Sequence, residues 1–311
     1  MAINRRKFLT TSAALGGWML SPDQKPDNLN TIHFDMPADF KVKVMATDWG
    51  FEGTREAYIA KAKEEGYDGI EIWWQGDKQK QTELFQLLKK YNMEVGFLCG
   101  GHQSDFAAHF KQFAAMIDAA TGQNPVRPLY VNCHSGKDFF SFDENKKFID
   151  YTVEASQKSG IPVSHETHRS RILYSAPVAK QFMDAIPGLR ITLDISHWCN
   201  VHESLLEGQE RTVEMALQRV DHIHARVGHP EGPQVSDPRA PEWEAALNKH
   251  LSWWDSVVAL KIKQGVKHIS FLTEFGPPDY MPVLPYTRQP LADQWAINVY
   301  MMQLLKKRYS G

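Results

Sequence analysis

The sequence has 311 residues, of which 42% are hydrophobic and 23% are charged, as is typical of a globular protein with a substantial buried core. The formal net charge of −2 gives no electrostatic reason to expect a nucleic-acid or anionic-lipid partner. Three widely spaced cysteines do not form a disulfide framework, and we expect them to be small buried residues. They are Cys99, Cys133 and Cys199.

The N-terminal segment differs in composition from the rest of the chain. Two adjacent arginines, Arg5 and Arg6, precede Phe-Leu and a weakly apolar stretch, TTSAALGGWML (10–20). This pattern resembles a twin-arginine export signal. The apolar stretch is too short to cross a bilayer, so we expect no stable membrane insertion. We therefore predict an export signal and flexible linker over 1–35, a folded domain over 36–311, and a periplasmic or otherwise exported protein.

From residue 40 onward, short apolar runs alternate with amphipathic segments of helical periodicity. The apolar runs predict eight strands, over 41–47, 67–73, 93–99, 127–133, 160–166, 190–196, 221–226 and 268–274. The first four connections contain predicted helices over 54–66, 80–92, 105–122 and 144–160. Gly66 and Gly160 close two of these helices, because glycine tolerates the left-handed conformation that ends a helix.

Eight β-α units in about 270 residues have the number and size of a (β/α)8 barrel. An open doubly wound sheet is the alternative, but it would usually carry a glycine-rich turn after its first strand. The segment TDWGFEGT (47–54) is a poor match to that motif. We therefore predict an α/β fold, a single-domain (β/α)8 TIM barrel.

Ligand-type side chains occur at the ends of the last four predicted strands. Glu166 ends the fifth strand, Asp194 lies in the sixth, His224 in the seventh, and Glu274 ends the eighth. The carboxyl ends of the strands meet at one face of a barrel, so these side chains should lie together. Three carboxylates in a partly dry cleft repel one another unless a cation holds them. Such an oxygen-rich set predicts a divalent metal ion, with Mn²⁺ the first choice and Mg²⁺, Co²⁺ or Zn²⁺ as alternatives.

The motifs LDISHW (193–198), HIHAR (222–226) and LTEFG (272–276) carry these residues. With the strand pattern, they resemble the xylose isomerase-like family of sugar isomerases and epimerases over residues 40–308. The resemblance implies that the four residues hold the metal and that the two glutamates also act as acid and base. It further implies that His197 contacts substrate or a second metal.

The residues themselves allow the same chemistry. A divalent ion can polarise a ketose carbonyl and stabilise the enediolate that forms when a neighbouring carbon loses its proton. Glu166 and Glu274 come from different strands, so one can remove a proton and the other can return it. We therefore predict a metal-dependent keto-sugar isomerase or epimerase with a small-molecule carbohydrate substrate. A homo-oligomer is compatible with the sequence.

Other polar and aromatic residues near strand ends could contact the sugar. The candidates are His197, His134, Arg226, His102 and Trp73. Trp73, Trp49 and Trp74 could form an apolar wall for the sugar ring. Arg226 could anchor substrate or form a structural ion pair. His165 should face the helices, because neighbouring strand residues alternate between faces.

Three other functions are open. The same metal-glutamate site could act as a 3-keto-glycoside lyase or hydratase, since proton loss beside a ketone also drives elimination. The motif D-x-x-H (194–197) and VNCHSG (131–136) fit an endonuclease-type metal hydrolase. Against the endonuclease stand the near-neutral charge and the lack of a basic stripe. A non-catalytic sugar-binding barrel is disfavoured by the complete set of four ligands.

Overall fold

The computed structural model describes residues 36–310. The predicted export signal and linker lie outside the described residues, so export and a periplasmic location stay predictions. None of the described helices is both long and apolar enough to cross a bilayer. The three cysteines are buried and free, as expected.

Eight parallel strands, hydrogen-bonded in chain order, close into a barrel, which confirms the predicted fold. The strands are β1 Lys41–Thr47, β2 Gly69–Trp73, β3 Glu94–Gly100, β4 Val131–His134, β5 Val163–Glu166, β6 Ile191–Leu193, β7 Val220–His224 and β8 His268–Leu272. β8 pairs with β1, which closes the sheet and leaves none of these eight strands with an unpaired edge.

Helices follow the strands and cover the outside of the barrel. They are α1 Arg55–Glu65, α2 Lys78–Tyr91, α3 Phe106–Ala120, α4 Phe142–Ser159, α5 Ala176–Ala185, α6 Ile195–Val201, α7 Glu210–Leu217, α8 Glu244–Lys263 and α9 Gln294–Arg308. Gly66 and Gly160 end α1 and α4 with φ of +100° and +67°, as the sequence predicted. The start of α4 is fixed by a reciprocal capping pair between Ser141 and Glu144.

Several strands are shorter than predicted. The sixth was expected to extend to residue 196 but ends at Leu193, because Asp194 caps α6 by accepting the backbone N–H of Ser196 at 3.2 Å. The fifth begins at Val163 rather than at residue 160. Gly160 still ends α4, and Pro162 has no N–H to donate to a neighbouring strand. The strand ends that carry the predicted site residues are nevertheless placed at the same face.

Strand alternation separates two layers. Outward residues pack under the helices, as when Phe97 of β3 meets Phe85 of α2 edge to face at 6.4 Å. The inward residues His222 and His224 of β7 are polar, and both reach the carboxylate of Glu71 inside the barrel. The barrel interior therefore contains a polar, buried group of side chains directly beneath the carboxyl ends of the strands.

Candidate metal and substrate site

The four predicted metal ligands converge at the carboxyl ends of β5 to β8. Glu166 and His224 are the last residues of β5 and β7, Asp194 directly follows β6, and Glu274 lies two residues beyond β8. One ligand atom from each side chain lies within 4.8 Å of the others, and all four residues are buried. The structure thus brings the predicted set together, while its role as a metal site stays a prediction.

His224 is the centre of this cluster. Its Nδ1 atom lies 2.8 Å from Oε2 of Glu274 and 3.6 Å from Oε2 of Glu166. Burial alone would lower the pKa of His224, but the charges of Glu274, Glu166 and Glu71 together raise it well above its usual range. The cluster therefore has a strongly negative potential, which attracts either a proton or a metal ion to the same place.

The carboxylates are stabilised by different partners. Burial raises the pKa of Asp194 to about 6, although the ion pair with Arg226 opposes that shift. Burial also acts to raise the pKa of Glu166, but His134 and His224 overcome it and hold the value well below its usual range. Glu166 is consequently an ionised carboxylate in a dry environment, as a metal ligand or a proton acceptor must be.

The donor set fits a divalent cation. Within residues 36–310, Oε1 of Glu166 is buried and has no hydrogen-bond partner. An orphaned carboxylate oxygen of this kind is costly unless an ion or water completes it. Three carboxylates and one imidazole match the hard, mixed oxygen-nitrogen preference of Mn²⁺ and Mg²⁺. Glu166, Asp194, His224 and Glu274 would hold such an ion.

A second group of ligand-type atoms adjoins Glu166. His134, which ends β4, places Nε2 2.6 Å from Oε2 of Glu166, and His168 completes a set of three within 4.8 Å. Burial lowers the pKa of His168 well below its usual range, so this imidazole is neutral. The two histidines therefore bring imidazole nitrogen atoms close to the carboxylate that ends β5.

A cavity of about 450 Å³ opens beside the cluster. Its apolar wall includes Trp49, Trp73 and Leu98, and its polar wall includes His134 and Glu274. A mixed wall of this type suits a sugar, whose ring has apolar C–H faces and polar hydroxyl edges. The volume lies within the range of small-molecule sites, about 300–1,000 Å³.

The predicted substrate residues take different positions. Trp73, His134 and Arg226 line the cavity. His197 is completely buried, with Nε2 3.0 Å from Nη2 of Arg226, and does not line the cavity. His102 is exposed at the rim, where its ring lies 5.7 Å from that of Trp73. The prediction of direct substrate contact therefore has geometric support for the first three residues only.

Arg226 combines the two roles considered from the sequence. Its guanidinium is buried, pairs with Asp194 and lies 3.3 Å from Oε2 of Glu274. The same group lies under the rings of Tyr280 and Trp49, at 4.7 and 5.9 Å from their centroids. Arg226 is thus a structural ion pair that also forms part of the cavity wall.

The position of Trp74 corrects a prediction from the sequence, and the position of His165 supports one. Trp74 does not join the cavity wall, because alternation directs it outward against Phe97. His165 faces the helices as expected, with Nε2 2.7 Å from the hydroxyl of Thr152 in α4. Only one of two neighbouring strand residues can reach the interior, which explains both outcomes.

Sequence reasoning did not select three residues that line the cavity: Glu71, His168 and Tyr280. Glu71 could have been selected, because a carboxylate within the apolar strand GIEIW (69–73) is an unusual buried charge. His168 follows Glu166 by two residues, beyond the end of β5, where strand alternation no longer indicates the direction of a side chain. Tyr280 lies in the loop after β8, where no periodicity indicates the direction of a side chain.

Comparisons with known proteins agree with the fold. Residues 59–248, more than half of the chain, match the sequence profile of the xylose isomerase-like TIM barrel family. A search of curated proteins found no significant sequence match.

Several solved structures share the architecture at low identity. The 3-keto-D-glucoside 4-epimerase from E. coli is 14% identical, with a TM-score of 0.57 over 86% of this chain and 100% of that chain. D-psicose 3-epimerase, solved in the presence of D-fructose, is 11% identical, with a TM-score of 0.58 over 86% and 100%. A xylose isomerase-like TIM barrel protein from Mycobacterium smegmatis, in complex with magnesium, is 11% identical, with a TM-score of 0.56 over 86% and 98%. These likenesses establish the shared fold.

Proposed function

The chain belongs to the xylose isomerase-like TIM barrel family, and on that basis we propose that it is a metal-dependent isomerase or epimerase of keto-sugars. The observation that carries the proposal is the convergence of Glu166, Asp194, His224 and Glu274 beside a sugar-sized cavity. A divalent ion held there would polarise the substrate carbonyl and stabilise the charge of an enediolate.

In the proposed reaction, the two glutamates move protons. Glu166 is ionised and buried, with one carboxylate oxygen free of hydrogen bonds among the described residues, so it can accept a proton from carbon. Glu274 borders the cavity from β8 and contacts His224 from another direction. Two carboxylates on different strands can serve opposite faces of a planar enediolate, which inverts a stereocentre.

The cavity walls would orient the sugar. Trp49 and Trp73 offer aromatic faces to the apolar side of the ring. His134 and Tyr280 offer polar atoms to hydroxyl groups on the other side. In this arrangement the substrate carbonyl points toward the four-residue cluster, and the rest of the sugar occupies the cavity.

The structural neighbours support the choice of substrate class, because one acts on a 3-keto-D-glucoside and another is a D-psicose 3-epimerase. Mn²⁺ is the first candidate ion, since the donors are mostly hard oxygens with one imidazole. We further propose that the enzyme is exported, because of the twin arginines Arg5 and Arg6.

Solvent exchange tests the proposal. Metal-loaded protein is incubated in D₂O with a panel of ketoses and 3-keto-glycosides, and products are analysed by NMR. We expect deuterium at the carbon next to the carbonyl of at least one sugar, dependent on metal. An inverted centre identifies an epimerase, a moved carbonyl an isomerase, and loss of the aglycone a lyase. Absence of exchange across the panel would contradict proton abstraction as the chemistry of this site.

A further inference from the structure

Glu71 of β2 is a buried carboxylate without an arginine or lysine partner in the described part of the chain. Its side chain is 3% exposed, and its ion-pair contacts are to His222 and His224 on the opposite side of the barrel. Nε2 of each imidazole lies 3.3 Å from a carboxylate oxygen of Glu71. Burial of a lone carboxylate is costly, so a specific interaction must compensate it.

The two nitrogen atoms of His224 face different carboxylates. Nδ1 points to Glu274 and Glu166, at 2.8 and 3.6 Å, and therefore to the proposed metal site. Nε2 points away from that site, with a carboxylate oxygen of Glu71 at 3.3 Å and Nδ2 of Asn132 at 3.1 Å. The Asn132 amide nitrogen is a donor, which Oε2 of Glu166 accepts at 2.8 Å, and it cannot accept a proton from the ring. A neutral imidazole that gives one nitrogen to a metal carries its proton on the other nitrogen. Glu71 is the charged acceptor available to that N–H.

We propose that Glu71 is a positioning residue for the metal ligand His224. Its carboxylate accepts the Nε2–H bond, fixes the ring orientation and keeps Nδ1 directed at the metal. Carboxylates behind metal-bound histidines commonly have this role, and their loss weakens metal binding about 10–100-fold. The inference rests on the proposed metal site and adds a residue from the far side of the barrel to it.

A second metal ion is the competing interpretation, because Glu71, His222 and His224 also lie within 4.8 Å of one another. His222 is held in place by Ser270, whose hydroxyl and carbonyl oxygens lie 2.8 and 3.1 Å from Nδ1, and its ring stacks on Tyr130 at 3.8 Å. An ion at this position would need a lone pair on Nε2 of His224. A neutral imidazole has only one lone pair, and Nδ1 already uses it at the first site.

Metal affinity provides the test, since it does not depend on knowing the sugar. Co²⁺ binding is measured by calorimetry and visible absorption for the wild-type protein and for E71Q. We expect one ion per chain in both, about 10–100-fold weaker binding in E71Q, and an altered Co²⁺ absorption spectrum. The unfolding curve in EDTA establishes that E71Q is folded.

Two further variants separate positioning from general damage. D255N removes a buried ion pair with Arg308, at 2.6 Å between helices α8 and α9, and should lower stability without changing Co²⁺ affinity. H222Q removes the other partner of Glu71 and should weaken Co²⁺ binding less than E71Q does. H222Q also provides a test if E71Q does not fold. In that case, strongly weakened Co²⁺ binding by H222Q would overturn the inference, whereas near-normal Co²⁺ binding by H222Q would support it.

Other results overturn the proposal. Equal Co²⁺ affinity of E71Q and the wild type would overturn it. So would two Co²⁺ ions per chain in the wild type and one in E71Q, because that result would make Glu71 a direct ligand. Weakened Co²⁺ binding in E71Q without exchange into any sugar would refute the proposed function alone. A wild-type protein that binds no Co²⁺ would refute both.

Discussion

Arg226 and Asp194 form a buried ion pair at the edge of the proposed metal site, with Nη2 of the arginine against Oδ2 of the aspartate. Both side chains are almost completely excluded from solvent. Burial raises the pKa of Asp194 to about 6 in spite of this partner. The arginine therefore supplies charge compensation that the cluster needs when no metal is bound.

We expect R226M to destabilise the metal-free protein by about 3–5 kcal/mol, because it leaves a buried carboxylate unpaired. Saturating Mn²⁺ should restore part of the loss, since the ion supplies another positive charge. Chemical denaturation in EDTA and in Mn²⁺ measures both effects. R226K, which keeps the charge but not the planar fork, serves as the control and should lose less. Equal metal-free stability of R226M and the wild type would contradict this role.

Metal removal should lower thermal stability. A ligand that binds only the folded state at 100 times its Kd stabilises that state by about 2.7 kcal/mol. We therefore expect the Tm to fall on treatment with EDTA and to recover when Mn²⁺ is added, as measured by calorimetry. D194N, which alters one of the four proposed ligands, should respond much less to Mn²⁺. A Tm that is the same with EDTA and with excess Mn²⁺ would count against the site.

Replacing either proposed proton carrier should remove turnover. E166Q and E274Q each keep the side-chain shape but not the carboxylate, and positioned acids or bases contribute about 10²–10⁴-fold. Deuterium exchange into the best substrate of the panel measures the loss. E94Q is the matched control, because Glu94 starts β3 at the opposite end of the barrel and pairs with Lys43. Near-normal exchange in both site variants would refute the proposed roles.

The aromatic wall should contribute to substrate binding more than to chemistry. Trp73 lines the cavity and packs against His102 and His134. We expect W73A to raise KM roughly 2- to 12-fold with little change in kcat, since aromatic contacts contribute about 0.5–1.5 kcal/mol. Steady-state kinetics checks this, with W295A as the control outside that cavity. A fall in kcat with unchanged KM would instead place Trp73 in the chemical step.

His250 should make stability sensitive to acid. Its Nδ1–H donates to the carbonyl of Ala246 at 2.8 Å, and its Nε2 accepts the N–H of Gly228 at 3.2 Å. Burial lowers the pKa of His250 to about 4, against 6.5 for an ordinary histidine. Between these values the unfolded chain binds the extra proton, so the free energy of unfolding falls as the pH falls from 6.5 to 4.

The H250Q variant isolates this contribution. We expect its free energy of unfolding to depend less steeply on pH in that window, by up to about 1.4 kcal/mol per pH unit. Urea denaturation at a series of pH values measures the slope. An unchanged slope would mean that His250 is not held neutral by the fold.

The sequence by itself determined the barrel and the order of the four ligand-type residues on β5 to β8. Strand and helix periods are local properties, and an inward-pointing residue at the carboxyl end of a barrel strand faces the site. The alternation rule likewise placed His165 against the helices. The predicted end of β6 at residue 196 was wrong for a local reason too, because Asp194 caps α6 and the strand ends at Leu193.

Only the tertiary structure decided which further residues reach the site. Barrel closure sets Glu71 of β2 opposite His224 of β7, a separation of 153 residues. The path of the loop after β8 brings Tyr280 over Arg226, and the depth of His197 removes it from the cavity wall. These contacts depend on the closed geometry and on loop paths, for which no repeating pattern exists in the chain. The sequence could therefore predict which four ligand-type residues come together, but not the residues that support them.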